Sequence, residues 1–153
     1  VKAVERQSTP DVRPEAPPEP DPRTAASGWV LRAVVTAHLI AGFGQPVFAG
    51  VYLSGDFDGL SWHVLGADLV SSIGIAQIGA AVAVWIRVRR AWPLWASVAL
   101  TLGETAQYFA GMDGALWLHI PLGVALVAGI AGLFAAVWMR PLPRRRKAVR
   151  ADG

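Results

Sequence analysis

Residues 48–66 read FAGVYLSGDFDGLSWHVLG, and residues 109–123 read FAGMDGALWLHIPLG. The two stretches share a phrase. Phe48-Ala49-Gly50, Asp58-Gly59, Trp62-His63 and Leu65-Gly66 return as Phe109-Ala110-Gly111, Asp113-Gly114, Trp117 with His119, and Leu122-Gly123. A glutamine precedes each copy, Gln45 and Gln107. Apolar runs of about 29–53, 60–86, 93–112 and 115–139 lie on either side of the two phrases. Each is near the roughly 20 residues that span a hydrocarbon core as a helix. A backbone in lipid must satisfy its own hydrogen bonds, which selects helices. The sequence therefore predicts an all-α polytopic membrane four-helix bundle made of two helical-hairpin repeats.

Three segments follow. Residues 1–27 hold six of the eleven prolines and charges of both signs. They are expected to form a disordered Pro-rich tail, because they offer too little apolar surface to offset chain entropy. No apolar core precedes Ala25-Ala26-Ser27, so a secretory signal is not expected. Residues 28–140 form the four-helix domain, and 141–153 a basic tail. Pro93 suits the first turn of the third helix. Asp58 and Asp113 are expected to cap the second and fourth helices. Gln45-Pro46 marks an expected kink in helix one, and Pro121 an expected local opening in helix four.

Charge orients the chain. The 87–92 loop holds three Arg and no acid, and six basic residues follow position 139, while the other two loops carry only Asp56, Asp58 and Asp113. The positive-inside rule puts both termini in the cytoplasm and the Asp-Gly loops outside, in a cell membrane. All seven Trp fall near predicted helix ends, where amphipathic rings settle. The composition is 54% hydrophobic, with mean hydropathy +0.41, so the basic balance serves topology and not nucleic acid. Twelve Arg against two Lys, with abundant Ala and Gly, suggest a bacterial source. Cysteine is absent, which excludes disulfides and thiolate sites. No Ser-His-Asp order, phosphate loop or His-Glu-x-x-His string supports a hydrolase or kinase. The small residues Ser72, Ala76 and Ala80, and Ala128, Gly132 and Ala136, are expected to face the bundle interior.

His63 and His119 carry the functional expectation. Each lies five or six residues past its Asp-Gly, so about 7–9 Å below the outer helix end at a rise of about 1.5 Å per residue. Two imidazoles on facing helices are a common axial pair for b-type haem, and helix bundles build cofactor sites this way. Trp62-His63-Val64-Leu65-Gly66 and Leu118-His119-Ile120-Pro121-Leu122-Gly123 resemble a four-helix half of the haem A synthase family. The resemblance covers about 45–139 and implies that His63 and His119 ligate haem iron. That family carries an acid three residues before the helix-two histidine, where this chain has Leu60. The resemblance thus extends to the ligand pair and not to the acid.

Two other readings compete with electron transfer through haem. One is a divalent metal site on the outer face, built from His63, His119, Asp58 and Asp113. The other is a non-haem accessory or scaffold protein whose polar residues only join helices. Glu104 and Gln107 share one face of helix three, and Asp68 lies below His63 on helix two. Acids in a bilayer normally face a bundle interior, so Asp68 and Glu104 are expected to tune the site or pass protons. His38 has no mate in the repeat and is expected to bond across helices. The expected partners are the lipid bilayer and either a membrane redox protein or a second copy of the chain.

Overall fold

The computed structural model describes residues 21–144. Four helices, α1 (Ala26–Leu53), α2 (Asp58–Val88), α3 (Trp92–Met112) and α4 (Leu116–Met139), follow one another through short turns. Short connections force consecutive helices to run antiparallel side by side. Each packs on the next, and α1 closes the ring against α4. The result is the expected all-α four-helix bundle of two hairpins. An antiparallel pair of short strands, β1 (Asp21–Thr24) and β2 (Pro143–Arg144), joins the segment before α1 to the segment after α4. The Ala25 N–H donates to the Leu142 carbonyl at 3.0 Å, and Leu142 is buried. Within the expected 1–27 tail, residues 21–24 lie in β1 and residues 26–27 open α1. Residues 1–20 and 145–153 lie outside the described residues.

Helices α1, α2 and α4 are each long and apolar enough to cross a membrane, which marks an integral membrane protein. The 21-residue α3 is the shortest of the four and carries the buried acid Glu104. Exposed Trp29, Trp85, Trp95 and Trp138 ring the basic end of the bundle, and Trp62 and Trp117 the acidic end. Pro46 and Pro121 lie inside α1 and α4, which run on through both.

The interior is layered. At the basic end, Leu31, Val35, Ala81, Val84, Val88, Leu94, Leu133 and Val137 form a continuous apolar core. Arg32 closes this layer from the side. Its Nε donates to the Val137 carbonyl at 3.2 Å, and its guanidinium stacks between Trp29 and Trp138, 5.0 and 5.2 Å from their ring centres. That carbonyl lies in the last turn of α4, where no intrahelical partner exists. The acceptor and the two ring faces together explain how a cation is buried there.

Three sequence expectations change at the helix ends and on the helix faces. The Asp56 carboxylate, not that of Asp58, accepts at the start of α2, from the Asp58 N–H at 3.1 Å. Asp113 ends α3 instead of opening α4, because α3 continues to Met112 and the chain then reverses through Gly114 at φ 71°. Glycine tolerates that left-handed backbone without steric cost. Ser72, Ala76, Ala128 and Gly132 lie exposed, so the small-residue stripes point outward and only Ala80 reaches the interior.

The closest approach of α1 and α2 is at Gly59. A Cβ there would lie 2.5 Å from the Tyr52 backbone nitrogen and 2.9 Å from the Phe48 carbonyl oxygen. Backbone cannot yield as a side chain can, so Gly59→Ala should destabilise the bundle by about 1–3 kcal/mol. Gly79 has nothing within 4 Å of the same position. Gly79→Ala should be neutral or stabilise by up to about 1 kcal/mol, the helix-propensity gain. Thermal unfolding of both variants in detergent checks the contrast.

Candidate histidine-pair site

Toward the acidic end the repeat becomes a constructed site. The Nδ1 of His63 on α2 lies 3.1 Å from the Gln45 carbonyl on α1. The Nδ1 of His119 on α4 lies 3.0 Å from the Gln107 carbonyl on α3. Each imidazole is thus held by the opposite arm of its own hairpin. A carbonyl can only accept, so each Nδ1 carries the proton and each Nε2 keeps a free lone pair. Neither Nε2 forms a hydrogen bond among the described residues. The ring centres are 6.0 Å apart, with planes inclined at 70°.

The glutamine side chains repeat as well. The Gln45 amide fills the space where a Cβ on Gly66 would stand, and the Gln107 amide comes within 2.8 Å of the same point on Gly123. Glycine at the end of each copy therefore admits the side chain of the glutamine before it. The two halves differ at the first glycine of the phrase. A Cβ on Gly111 would fall 2.8 Å from His119 Cε1, whereas one on Gly50 would meet nothing within 4 Å.

Two cavities meet at the pair. One, of about 280 Å³, is bordered by Pro46, Ala49, Ile120 and Val124 of α1 and α4. The other, of about 90 Å³, extends inward past Tyr108 to Glu104 and Ile130. Both are lined by His63, His119, Gln45 and Gln107.

Below the second cavity lies a polar layer that is almost fully buried. The His38 Nδ1 is 3.0 Å from Gln77 Oε1, the Gln77 Nε2 donates to Ser97 Oγ at 3.2 Å, and Ser97 Oγ donates to the Pro93 carbonyl at 2.7 Å. On its other side His38 Nε2 lies 2.9 Å from Glu104 Oε1, an ion-pair distance, although the approach is off the hydrogen-bond axis. His38 thus bonds across helices, joining α1 to α2 and α3. Glu104 is 6% exposed. Gly74 makes room for it, since a Cβ there would lie 2.7 Å from Glu104 Oε2.

The remaining expected site residues stand apart. Asp68 is exposed on the outside of α2, where only its backbone carbonyl is engaged, by Ser72 Oγ at 2.8 Å. It does not border either cavity, so of these two acids Glu104 alone reaches the site. Asp58 and Asp113 sit exposed at the turns, and among the described residues no three His, Asp or Glu side chains converge to hold a metal ion. The divalent site expected from His63, His119, Asp58 and Asp113 is not assembled. Sequence reading missed Arg32, Gln77, Ser97 and the carbonyl role of Gln45. Arg32 and Gln77 are isolated polar residues in apolar runs, which was a usable signal. Ser97 gave none.

No protein-family model matches the chain, and neither a curated protein nor a solved structure matches it.

The buried chain yields a stability test. Gln77→Leu strands the His38 Nδ1–H in an apolar surround and should cost about 1–3 kcal/mol. Ser72→Ala removes a hydroxyl that bonds only within its own helix, and should change stability by less than about 0.5 kcal/mol. Unfolding in detergent compares the two.

Proposed function

We propose that all four helices span a bacterial cell membrane, with both termini cytoplasmic, and that His63 and His119 bind a b-type haem for electron transfer. The matched imidazole pair carries this reading. A ligating histidine characteristically donates its second ring N–H to a carbonyl or carboxylate, which fixes the tautomer and aims the ring. Both histidines do so here. Two imidazoles on one metal ion put their ring centres roughly 6 Å apart, given about 2.0–2.1 Å from each nitrogen to the metal and about 1 Å more to the ring centre. The observed separation is 6.0 Å. The cavity between α1 and α4 adjoins the pair, and its walls are largely apolar. The resemblance of the two histidine strings to the haem A synthase family supports the same residues.

When bound, the group would supply a reversible one-electron couple. The chain's own residues do the rest. Gln45 and Gln107 orient the imidazoles, and Gly111 admits the His119 ring. No Lys or Arg lies between residues 41 and 86 or 91 and 139, so propionates near the acidic end would meet backbone amides and the Trp62 and Trp117 N–H groups.

Asp68 supports a second reading, that of an accessory or scaffold protein. An Asp facing lipid near the bilayer centre costs about 2.5–3.5 kcal/mol on insertion scales. Exposed Ser72 and Ala76 on the same helix would let a neighbouring membrane helix approach closely.

A reduced-minus-oxidised absorption spectrum of protein purified with ample haem separates the readings. We expect a Soret band and a sharp α-band in the wild type, both lost in His63→Ala and His119→Ala. A colourless, well-folded wild type would leave the scaffold reading. The repeat supplies an internal control. Gly111→Ala should lower haem occupancy by crowding His119, whereas Gly50→Ala should leave it unchanged, as measured by the ratio of Soret to protein absorbance.

A further inference from the structure

The His38 chain has a direction, and that direction locates a proton. Pro93 O can only accept, so Ser97 Oγ donates to it. Ser97 Oγ then accepts from Gln77 Nε2, which leaves Gln77 Oε1 facing His38 Nδ1. Nδ1 must therefore carry a hydrogen. In a neutral imidazole Nε2 would then be a bare lone pair, 2.9 Å from a carboxylate oxygen. Two lone pairs at that distance repel, so one proton lies between His38 and Glu104. With that one shared proton the pair has no net charge, which limits its cost in low dielectric.

A second proton has a place to go. Glu104 Oε1 meets only His38, off the hydrogen-bond axis, and Oε2 lacks a hydrogen-bond partner among the described residues; the side chain is 94% buried and lines the cavity that reaches His63 and His119. A cavity needs only about 10–15 Å³ of this kind of volume per water. At about 90 Å³ it has room for a short chain of waters. Toward the basic end the apolar layer around Val35, Val84 and Leu133 closes the path.

We propose that Glu104, paired with His38, is a proton-binding site coupled to the electron at the histidine pair. This rests on the haem reading above. A one-electron couple held by His63 and His119 would lose one positive charge on accepting an electron from a one-electron donor. Glu104 then takes one proton from water on the acidic-loop side. No other bond is made or broken. The loss of one positive charge at the centre raises the proton affinity of the carboxylate across the cavity, and by reciprocity the bound proton favours reduction. From α1 Glu104 faces His38, with Arg32 farther toward the basic end and engaged by Val137, Trp29 and Trp138. From α2 it faces Gly74, with His63 across the cavity. From α4 it faces apolar side chains, with His119 across the cavity. On α3 itself Tyr108 lies one turn away.

The test is a spectroelectrochemical titration of the purified haem-loaded protein at a series of pH values, beside Glu104→Gln, Glu104→Asp and His38→Gln. In the wild type each tenfold fall in proton activity should lower the midpoint potential by up to about 59 mV, the one-electron, one-proton limit. Glu104→Gln should flatten the dependence, and Glu104→Asp should restore it. His38→Gln keeps the carboxyl but removes its partner, so it should move the pH range of the slope and provides the readout should Glu104→Gln fail to assemble. A pH-independent wild type, a Glu104→Gln variant that keeps the full slope, or an unmoved range in His38→Gln would each overturn the coupling while leaving haem binding intact. A colourless wild type would remove both.

Discussion

His38 is completely buried midway along α1, and its hydrogen bonds can be met only inside the bundle. Gln77 from α2 meets one of them, Glu104 from α3 stands at ion-pair distance from the other ring nitrogen, and Ser97 relays the chain to the start of α3. Three of the four helices are thus held in one register by side chains that have no alternative partner in an apolar surround. An unpaired polar group there costs far more than in water. The positions of the layers above and below follow from this register. The apolar core fills the space toward the basic end, and the histidine pair lies toward the acidic end.

The layers divide the work. Packing of Leu31, Val35, Val84, Leu133 and Val137, with Arg32 bridging α1 to α4, holds the basic end closed. The acidic half is looser by construction. Pro46 and Pro121 each remove a backbone donor there, and α1 and α4 leave a cavity between them. The cavities, the free imidazole nitrogens and the unbonded carboxylate oxygens are all found on the loosely packed side.

The repeat is followed where the imidazoles are held and broken where they are supplemented. Gln45 with His63 and Gln107 with His119 make the same bond in each hairpin. His38 and Glu104 have no counterparts, since Ala99 and Phe43 occupy the equivalent positions. Symmetry therefore builds a pair that faces a shared space, and asymmetry adds one ionisable cluster to one side of it.

The number of helices, the hairpin repeat and the pairing of His63 with His119 were legible from sequence alone. Hydrophobic run length and a repeated phrase are local properties, and lipid leaves the backbone few choices. Order along each helix could also be read, because rise per residue is fixed, but His119 stands nearer its helix start than expected, since α4 opens at Leu116. Rotation about each helix axis could not. Asp68 and Glu104 look alike as acids in apolar runs, yet one faces outward and the other lies buried beside His38, a difference set by which neighbour each helix meets. The small-residue stripes misled for the same reason: they point outward, while close approach occurs at Gly59 and Gly74. The cap expected at Asp113 shifted because α4 opens at Leu116, beyond the Gly114 turn. The carbonyl roles of Gln45 and Gln107 belong to tertiary structure alone, since a backbone oxygen carries no residue-type signal. The sequence determined what the chain is made of and the order of its groups along each helix. Only the packing of the four helices decided which groups face one another.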